Sequence, residues 1–371
     1  MSNVHAATDK LLQSAPFAAA NGPLFVESFG ENALHHYENH PYVKALWDEA
    51  KVHPSQLKTE VDLLKAPFIV VNAFKENVFR TCREDQVKLH LTSSGTGGMK
   101  SHQFLDEESL ANVKQSAWMV HEALGMVNED KRYNYFCFTY DPKVANDLGT
   151  AFTDELLTSF TPKNEVYYAF QWSAEKNDFV FDKPQAVETL KRYEASGLPT
   201  RILGFPAFLN QLIDEFNLQL KLGADSWVQT GGGWKGLADQ EIPKESFRTK
   251  VSASLGLPKA NIRDMFGMVE HGIPYVDCEQ GELHIPNYAR VYIRDPFSME
   301  LKSHGEAGLI QFMCSYNFSY PAFNFLATDY GKIATCSCKM GGPILQIQGR
   351  AGVTKHKGCA IKALDLMKGG K

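Results

Sequence analysis

The sequence predicts an α/β protein with a second, β-rich part, and two patterns predict it. Strand-like and helical runs alternate through the middle of the chain. From Gly281 to Gly349 the pattern turns strand-rich, as in ELHIPNYARVYIRD and GEAGLIQFMCS. That later stretch implies a second sheet or small β subdomain, followed by a short Lys-rich tail.

Taken in order, the stretch before residue 80 reads as mainly helical. HPYVKALWDEAK and SQLKTEVDLLK are the candidates, with Pro54 and Pro67 as breaks. APFIVVNAF (66–74) is a short apolar run. In VKLHLTSSGTGGMKS (87–101), Val87, Leu89 and Leu91 alternate and then run into a loop of serine, threonine and glycine. A helix is expected after Asp106, with Leu110, Val113, Ala117, Val120 and Leu124 on one buried face and Glu107 and Glu108 in its first turn. YNYFCFTY (133–140), EVYYAFQW (165–172), RILGFP (201–206) and SWVQTGGG (226–233) read as strands. KPQAVETLKRYEAS (183–196) and FPAFLNQLIDEFNLQLK (205–221) read as helices between them.

Composition narrows the class. Of the 371 residues, 44% are hydrophobic and 22% charged, the mix of a folded globular protein. A net charge of -5 with no long basic run argues against nucleic-acid binding, which needs clustered positive charge. No uncharged apolar run approaches the length of a membrane span, and the N-terminus lacks a signal-peptide pattern. Seven scattered cysteines then read as reduced thiols, so a cytoplasmic enzyme is expected.

The segment Thr92-Ser93-Ser94-Gly95-Thr96-Gly97-Gly98-Met99-Lys100 carries the strongest local signal. Glycines let backbone approach a ligand, hydroxyls and amides donate to phosphate oxygens, and Lys100 adds positive charge. It is not a Walker A loop, because G-x-x-x-x-G-K-[ST] is absent. The segment resembles the phosphate loop of the adenylate-forming superfamily, matching at Ser93, Ser94, Gly95, Thr96, Gly98 and Lys100. It departs at Gly97, where threonine is usual, and at Met99, where proline is usual. Further motifs of that superfamily follow in order. Gly231-Gly232-Gly233 resembles the loop along adenine. Phe266-Gly267-Met268-Val269-Glu270 resembles the aromatic-Gly-x-[ST]-Glu motif, with Val269 in place of a hydroxyl residue. Thr328-Asp329-Tyr330-Gly331 resembles the ribose motif, and Gly349-Arg350 the pair leading into the interdomain hinge.

By that resemblance Phe266 would stack on adenine and Glu270 would hold Mg²⁺ against the phosphates of ATP. Asp329 would accept from the ribose hydroxyls, and Arg350 would lie near the ribose or α-phosphate. Residues 1–350 would form the adenylate-forming domain, two sheets sandwiched with helices, with a β-rich subdomain at about 281–350. Residues 351–371 would be a tail in place of the usual small C-terminal domain.

That tail, AGVTKHKGCAIKALDLMKGGK, carries Cys359 among Lys355, His356, Lys357 and Lys362, charges that raise a thiolate fraction. In length, motif order and C-terminal cysteine the chain resembles the acyl-protein synthetases (LuxE) of bacterial luminescence. The resemblance implies activation of a long-chain fatty acid by ATP and self-acylation of Cys359. It also implies delivery to the reductase, and acyl-transferase, subunits of a fatty acid reductase complex. The alternatives are a coenzyme A ligase of the phenylacetate type, which would not need Cys359, and a non-catalytic nucleotide-binding partner. Cys336 and Cys338 could join His356 and Cys359 around zinc, but C-x-C is poor spacing for a structural site. Cys82, Cys137, Cys278 and Cys314 read as packing residues, and His271 as structural.

Overall fold

All eight residues of the strand Tyr133–Tyr140 are buried, which requires cover on both faces. In the computed structural model, which describes residues 5–17, 21–93, 100–141, 149–234 and 237–350, helices supply that cover. The N-terminal part contains α1 (Ala6–Gln13), α2 (Gly22–Asn39), α3 (Pro41–Glu49), α4 (Glu60–Leu63), β1 (Ile69–Val70) and α5 (Ala73–Glu76). The pair β2 (Leu89–Thr92) and β3 (His102–Leu105) then leads into α6 (Glu107–Ala123). Pro54 opens a short 3-10 turn, so the segment 55–65 yields only the short α4 rather than a longer helix. Asp106 caps α6, its carboxylate accepting from the Ser109 N–H at 2.8 Å.

The α/β part follows as β4 (Tyr133–Tyr140), α7 (Gly149–Leu157), β5 (Lys163–Ser173), β6 (Asp178–Phe181), α8 (Lys183–Ala195), β7 (Thr200–Gly204) and α9 (Pro206–Phe216). It continues with β8 (Trp227–Gly231), α10 (Lys244–Leu255), β9 (Ile262–Met268) and β10 (His271–Val276). These strands form a seven-stranded sheet in the order β10-β9-β8-β7-β4-β5-β6. The five from β9 to β5 are parallel, and antiparallel β10 and β6 close the edges. Alternation along β4 sorts its side chains. Phe136 and Phe138 face the core made with α8, α9 and α10, while Tyr135 and Cys137 face Ala117, Leu157 and Phe160.

The C-terminal strands are β11 (Ala289–Arg294), β12 (Gly308–Cys314), β13 (Asn324–Thr335) and β14 (Pro343–Arg350). They form a five-stranded sheet with β1, which pairs with β13 in parallel. This sheet lies against the larger core, which also takes in α1, α2, α3 and β10.

α6 belongs to both cores. Val113, Val120 and Leu124 point into the larger one, and Ala117 packs under the seven-stranded sheet. The apolar face read from the sequence is therefore buried against two partners. Among the described residues, no helix is long and apolar enough to cross a membrane.

Candidate active site

In an open α/β sheet, ligands bind outside the carboxyl ends of the parallel strands. β8 delivers Gly231 to that edge in register with Met265 of β9. Gly232 and Gly233 follow with positive φ of 74° and 66°, conformations that L side chains rarely adopt. A Cβ at Gly232 would also lie 2.7 Å from the Phe205 ring. The backbone therefore turns tightly here and stays accessible, as a flat ligand would require.

β8 is itself held from below. Gln229, buried on β8, donates to Nε2 of His121 at 2.9 Å, while His121 Nδ1–H donates to the Ala117 carbonyl at 2.7 Å. Accepting from Gln229 at Nε2 needs the neutral ring, and burial lowers the pKa of His121 to about 4.

The next strand end carries the acidic group. β9 and β10 form a hairpin in which Met268 pairs with His271, so Val269 and Glu270 are its two-residue turn. Glu270 is only 5% exposed, and its carboxylate accepts a hydrogen bond from the Ser101 hydroxyl. Ser101 in turn closes the Ser/Gly loop. Its N–H donates to Ser93 Oγ at 2.8 Å, and its carbonyl accepts from the Ser93 N–H at 3.0 Å. The two ends of the loop are thus fastened together and docked on Glu270, with Lys100 exposed beside them.

Ser94, Gly95, Thr96 and Gly98 lie outside the described residues, as does Cys359. Burial, and behind it the Glu270 charge, hold the Tyr320 phenol well above its ordinary pKa.

Phe266 is half-buried on β9, its ring 5.9 Å from Phe312 and 6.1 Å from Tyr275 between centroids. Gly267 beside it is exposed, and a Cβ there would meet nothing. His271 is 1% exposed and packs against Tyr275, Phe312 and Phe325; burial takes its pKa to about 3. It is a neutral core residue that joins the two sheets.

Asp329 and Arg350 face each other across β13 and β14, with Arg350 Nε donating to the Asp329 carboxylate at 3.3 Å. Gly331 makes that pairing possible, since a Cβ there would lie 2.6 Å from the Gln346 carbonyl. Contacts among the described residues therefore gather the sequence-predicted positions into three groups. Ser93 and Lys100 lie at the loop base joined to Glu270, Gly231 pairs with Met265 next to Phe266 on the neighbouring strand, and Asp329 pairs with Arg350.

Sequence reasoning missed the tethers: Ser101, Tyr316 and His121. Tyr316 accepts from Gln103 Nε2 at 2.6 Å and from the Gly272 N–H at 2.9 Å, fixing β3 to the start of β10. No spacing rule links positions so far apart in the chain.

A buried carboxylate beside a hydroxyl offers hard oxygen donors of the kind Mg²⁺ takes. No ion pair engages Glu270 among the described residues, so the donor set fits a divalent cation.

This fold, a mixed sheet covered by helices with a second, β-rich sheet packed against it, is that of the adenylate-forming ligases. A crystal structure of 2-hydroxyisobutyryl-CoA ligase, with 2-HIB-AMP and CoA, matches 91% of this chain and 70% of that one, with a TM-score of 0.69 and 13% identity. Within that class the chain belongs to the family of acyl-protein synthetases, LuxE, whose model matches residues 2–366. Two relatives named long-chain-fatty-acid–luciferin-component ligase align over most of their length. The one from Aliivibrio fischeri is 26% identical over 309 residues, 81% of this chain and 78% of that protein. The one from Vibrio harveyi is 25% identical over 313 residues, with the same coverage of both chains.

Proposed function

We propose that the protein activates a long-chain fatty acid with ATP and then carries the acyl group as a thioester on Cys359. The observation that carries this reading is the docking of the Ser/Gly loop on Glu270 in a chain of this family. It fastens Ser93 and Ser101, at the two ends of the segment that resembles a phosphate loop, to one another and to a buried carboxylate. The names of the two relatives supply the acyl class.

In the first step a carboxylate oxygen of the fatty acid attacks the α-phosphorus of ATP. The bond to the bridging oxygen breaks, pyrophosphate leaves, and acyl-AMP forms. The chain's task is positioning and charge neutralisation. The loop from Ser93 to Lys100, including Ser94, Gly95, Thr96 and Gly98, would take the phosphates. Gly231, Gly232 and Gly233 would lie along adenine with Phe266 and Gly267 against its face. Asp329 would accept from the ribose, and Arg350, paired with it across the two strands, would lie near the ribose or α-phosphate. Mg²⁺, held by Glu270, would supply charge neutralisation at the phosphates. In the second step the Cys359 thiolate attacks the acyl carbon, the bond to the phosphate oxygen breaks, and AMP leaves. The thioester is then a substrate for a fatty acyl reductase.

Intact-protein mass after incubation with tetradecanoic acid, Mg²⁺ and ATP tests this. The expected result is an ATP-dependent acyl adduct, released by neutral hydroxylamine and missing in Cys359→Ser. Acyl-CoA formation on adding coenzyme A, with the protein left unmodified, would overturn the self-acylation step. Neither product, with no pyrophosphate release, would overturn the ligase reading.

A further inference from the structure

Away from the strand-end site, three cysteines and a histidine from distant parts of the chain converge on one buried point. Cys278 and His284 flank a tight turn that follows β10. Cys336 and Cys338 lie in the turn joining β13 to β14. The ligand atoms of all four lie within 4.8 Å of one another. The residues are 1%, 2%, 6% and 8% exposed in the order Cys278, His284, Cys336, Cys338.

Packing alone does not ask for this convergence, since buried thiols pack as small hydrophobes in any orientation. The distances suit a shared ion. Cys278 Sγ and Cys336 Sγ are 3.8 Å apart, and Cys338 Sγ is 3.2 Å from His284 Nε2. With Zn–S of about 2.3 Å and Zn–N of about 2.0–2.1 Å, a tetrahedron has S···S edges of about 3.8 Å and S···N edges of about 3.6 Å. The cysteines are free thiols, and 3.8 Å is far beyond a disulfide bond.

The backbone is arranged for charged sulfur. The Gln280 N–H points at Cys278 Sγ and the Cys338 N–H at Cys336 Sγ, each at 3.4 Å, so each turn offers an amide to the sulfur two residues before it. Both turns are closed by hydrogen bonds, Gly281 N–H to the Cys278 carbonyl at 2.9 Å and Gly341 N–H to the Cys338 carbonyl at 3.0 Å. Gly281 and Gly341 hold positive φ of 82° and 60° in them. Ile344, Ala334 and Met340 surround the cluster with apolar contacts.

We infer that Cys278, His284, Cys336 and Cys338 form a structural zinc site that staples the seven-stranded sheet to the five-stranded one. The donor set of three thiolates and one imidazole selects a borderline-soft tetrahedral ion, and four buried protein ligands leave no open position for catalysis. Binding releases the three thiol protons. The staple spans the two sheets directly, because the stretch after Cys278 pairs with β14 at His284 and Ile344. It therefore fixes β14, which carries Arg350, relative to β10, which follows Glu270.

Metal content by mass spectrometry of full-length protein, purified without chelator, is the test. The expected result is one zinc per chain. It is lost in the Cys336→Ser, Cys338→Ser double variant and kept in Cys82→Ser and Cys359→Ser. Stripped wild-type protein refilled with cobalt(II) should show thiolate charge-transfer bands and the strong d–d bands of a tetrahedral site. That readout decides the matter even if the double variant does not fold. Folded wild-type protein that holds no zinc and takes up neither zinc nor cobalt would overturn the inference. So would zinc retained by the double variant, or zinc lost in Cys359→Ser.

Discussion

Two side chains show how single residues set the site. Glu270 is buried and oriented by the Ser101 hydroxyl. Glu270→Gln keeps the shape and removes the charge, so ATP–pyrophosphate exchange should fall about 10²-fold with the fold intact. Ser101→Ala leaves the charge and removes only its orientation, and should cost about tenfold. Unchanged exchange in Glu270→Gln would take this residue out of the site.

His121 acts beneath the strand end. Its pKa is about 4 in the folded protein against an ordinary 6.5, so the unfolded chain binds the proton more readily. Its contribution is present above pH 6.5 and is lost as pH falls toward 4, about 3 kcal/mol at most. Urea midpoints measured from pH 7 down to pH 4 should fall more steeply in wild type than in His121→Gln. Parallel profiles would show that the ring does not titrate with unfolding.

At the scale of elements, the segment after β12 is the device that holds the N-terminal helices to the sheet. Asn32 Nδ2 on α2 donates to the Asn317 carbonyl at 2.8 Å, and Asn112 Nδ2 on α6 to the Tyr316 carbonyl at 2.9 Å. The Asn317 side chain accepts from the Ser319 and Tyr320 N–H groups at 2.8 and 2.9 Å. Asn317→Ala would orphan two buried donors, so equilibrium unfolding in urea should show a loss of about 2–4 kcal/mol. A loss below about 1 kcal/mol would mean that these donors find other partners.

Elements of this kind divide sharply by legibility. The strand 133–140 and the helix 183–195 stand where the residue pattern puts them, because a continuous apolar run and a capped periodic run have few other solutions. β3 is not visible in its sequence, His-Gln-Phe-Leu, since it exists only through pairing with β2. The helix α2 also escapes the pattern: buried Ser28, Asn32 and His36 interrupt its apolar face, and their partners lie near residue 317.

For the molecule as a whole, α6 packs into two cores at once. Val120 is fully buried in the larger core while Ala117 packs in the other. Thermal unfolding followed by far-ultraviolet circular dichroism and by tryptophan fluorescence should therefore give one coincident transition. Val120→Ala should lower it as a unit, by about 2 kcal/mol. Two separated transitions would mean that the sheets melt independently.

The sequence by itself determined the α/β class, the central strands, the capped helix after Asp106 and the candidate motifs. These depend on local periodicity, turn chemistry and residue type, which act over a few neighbouring positions. Tertiary structure alone decided that Ser101 meets Glu270, that His121 supports β8, and that Cys278 and His284 join Cys336 and Cys338. Those contacts close across 169, 108 and more than fifty residues, as for Cys278 and Cys336 at a separation of 58. They exist because sheet register and hairpin turns bring remote side chains to one point, and no local pattern encodes where a register will place them.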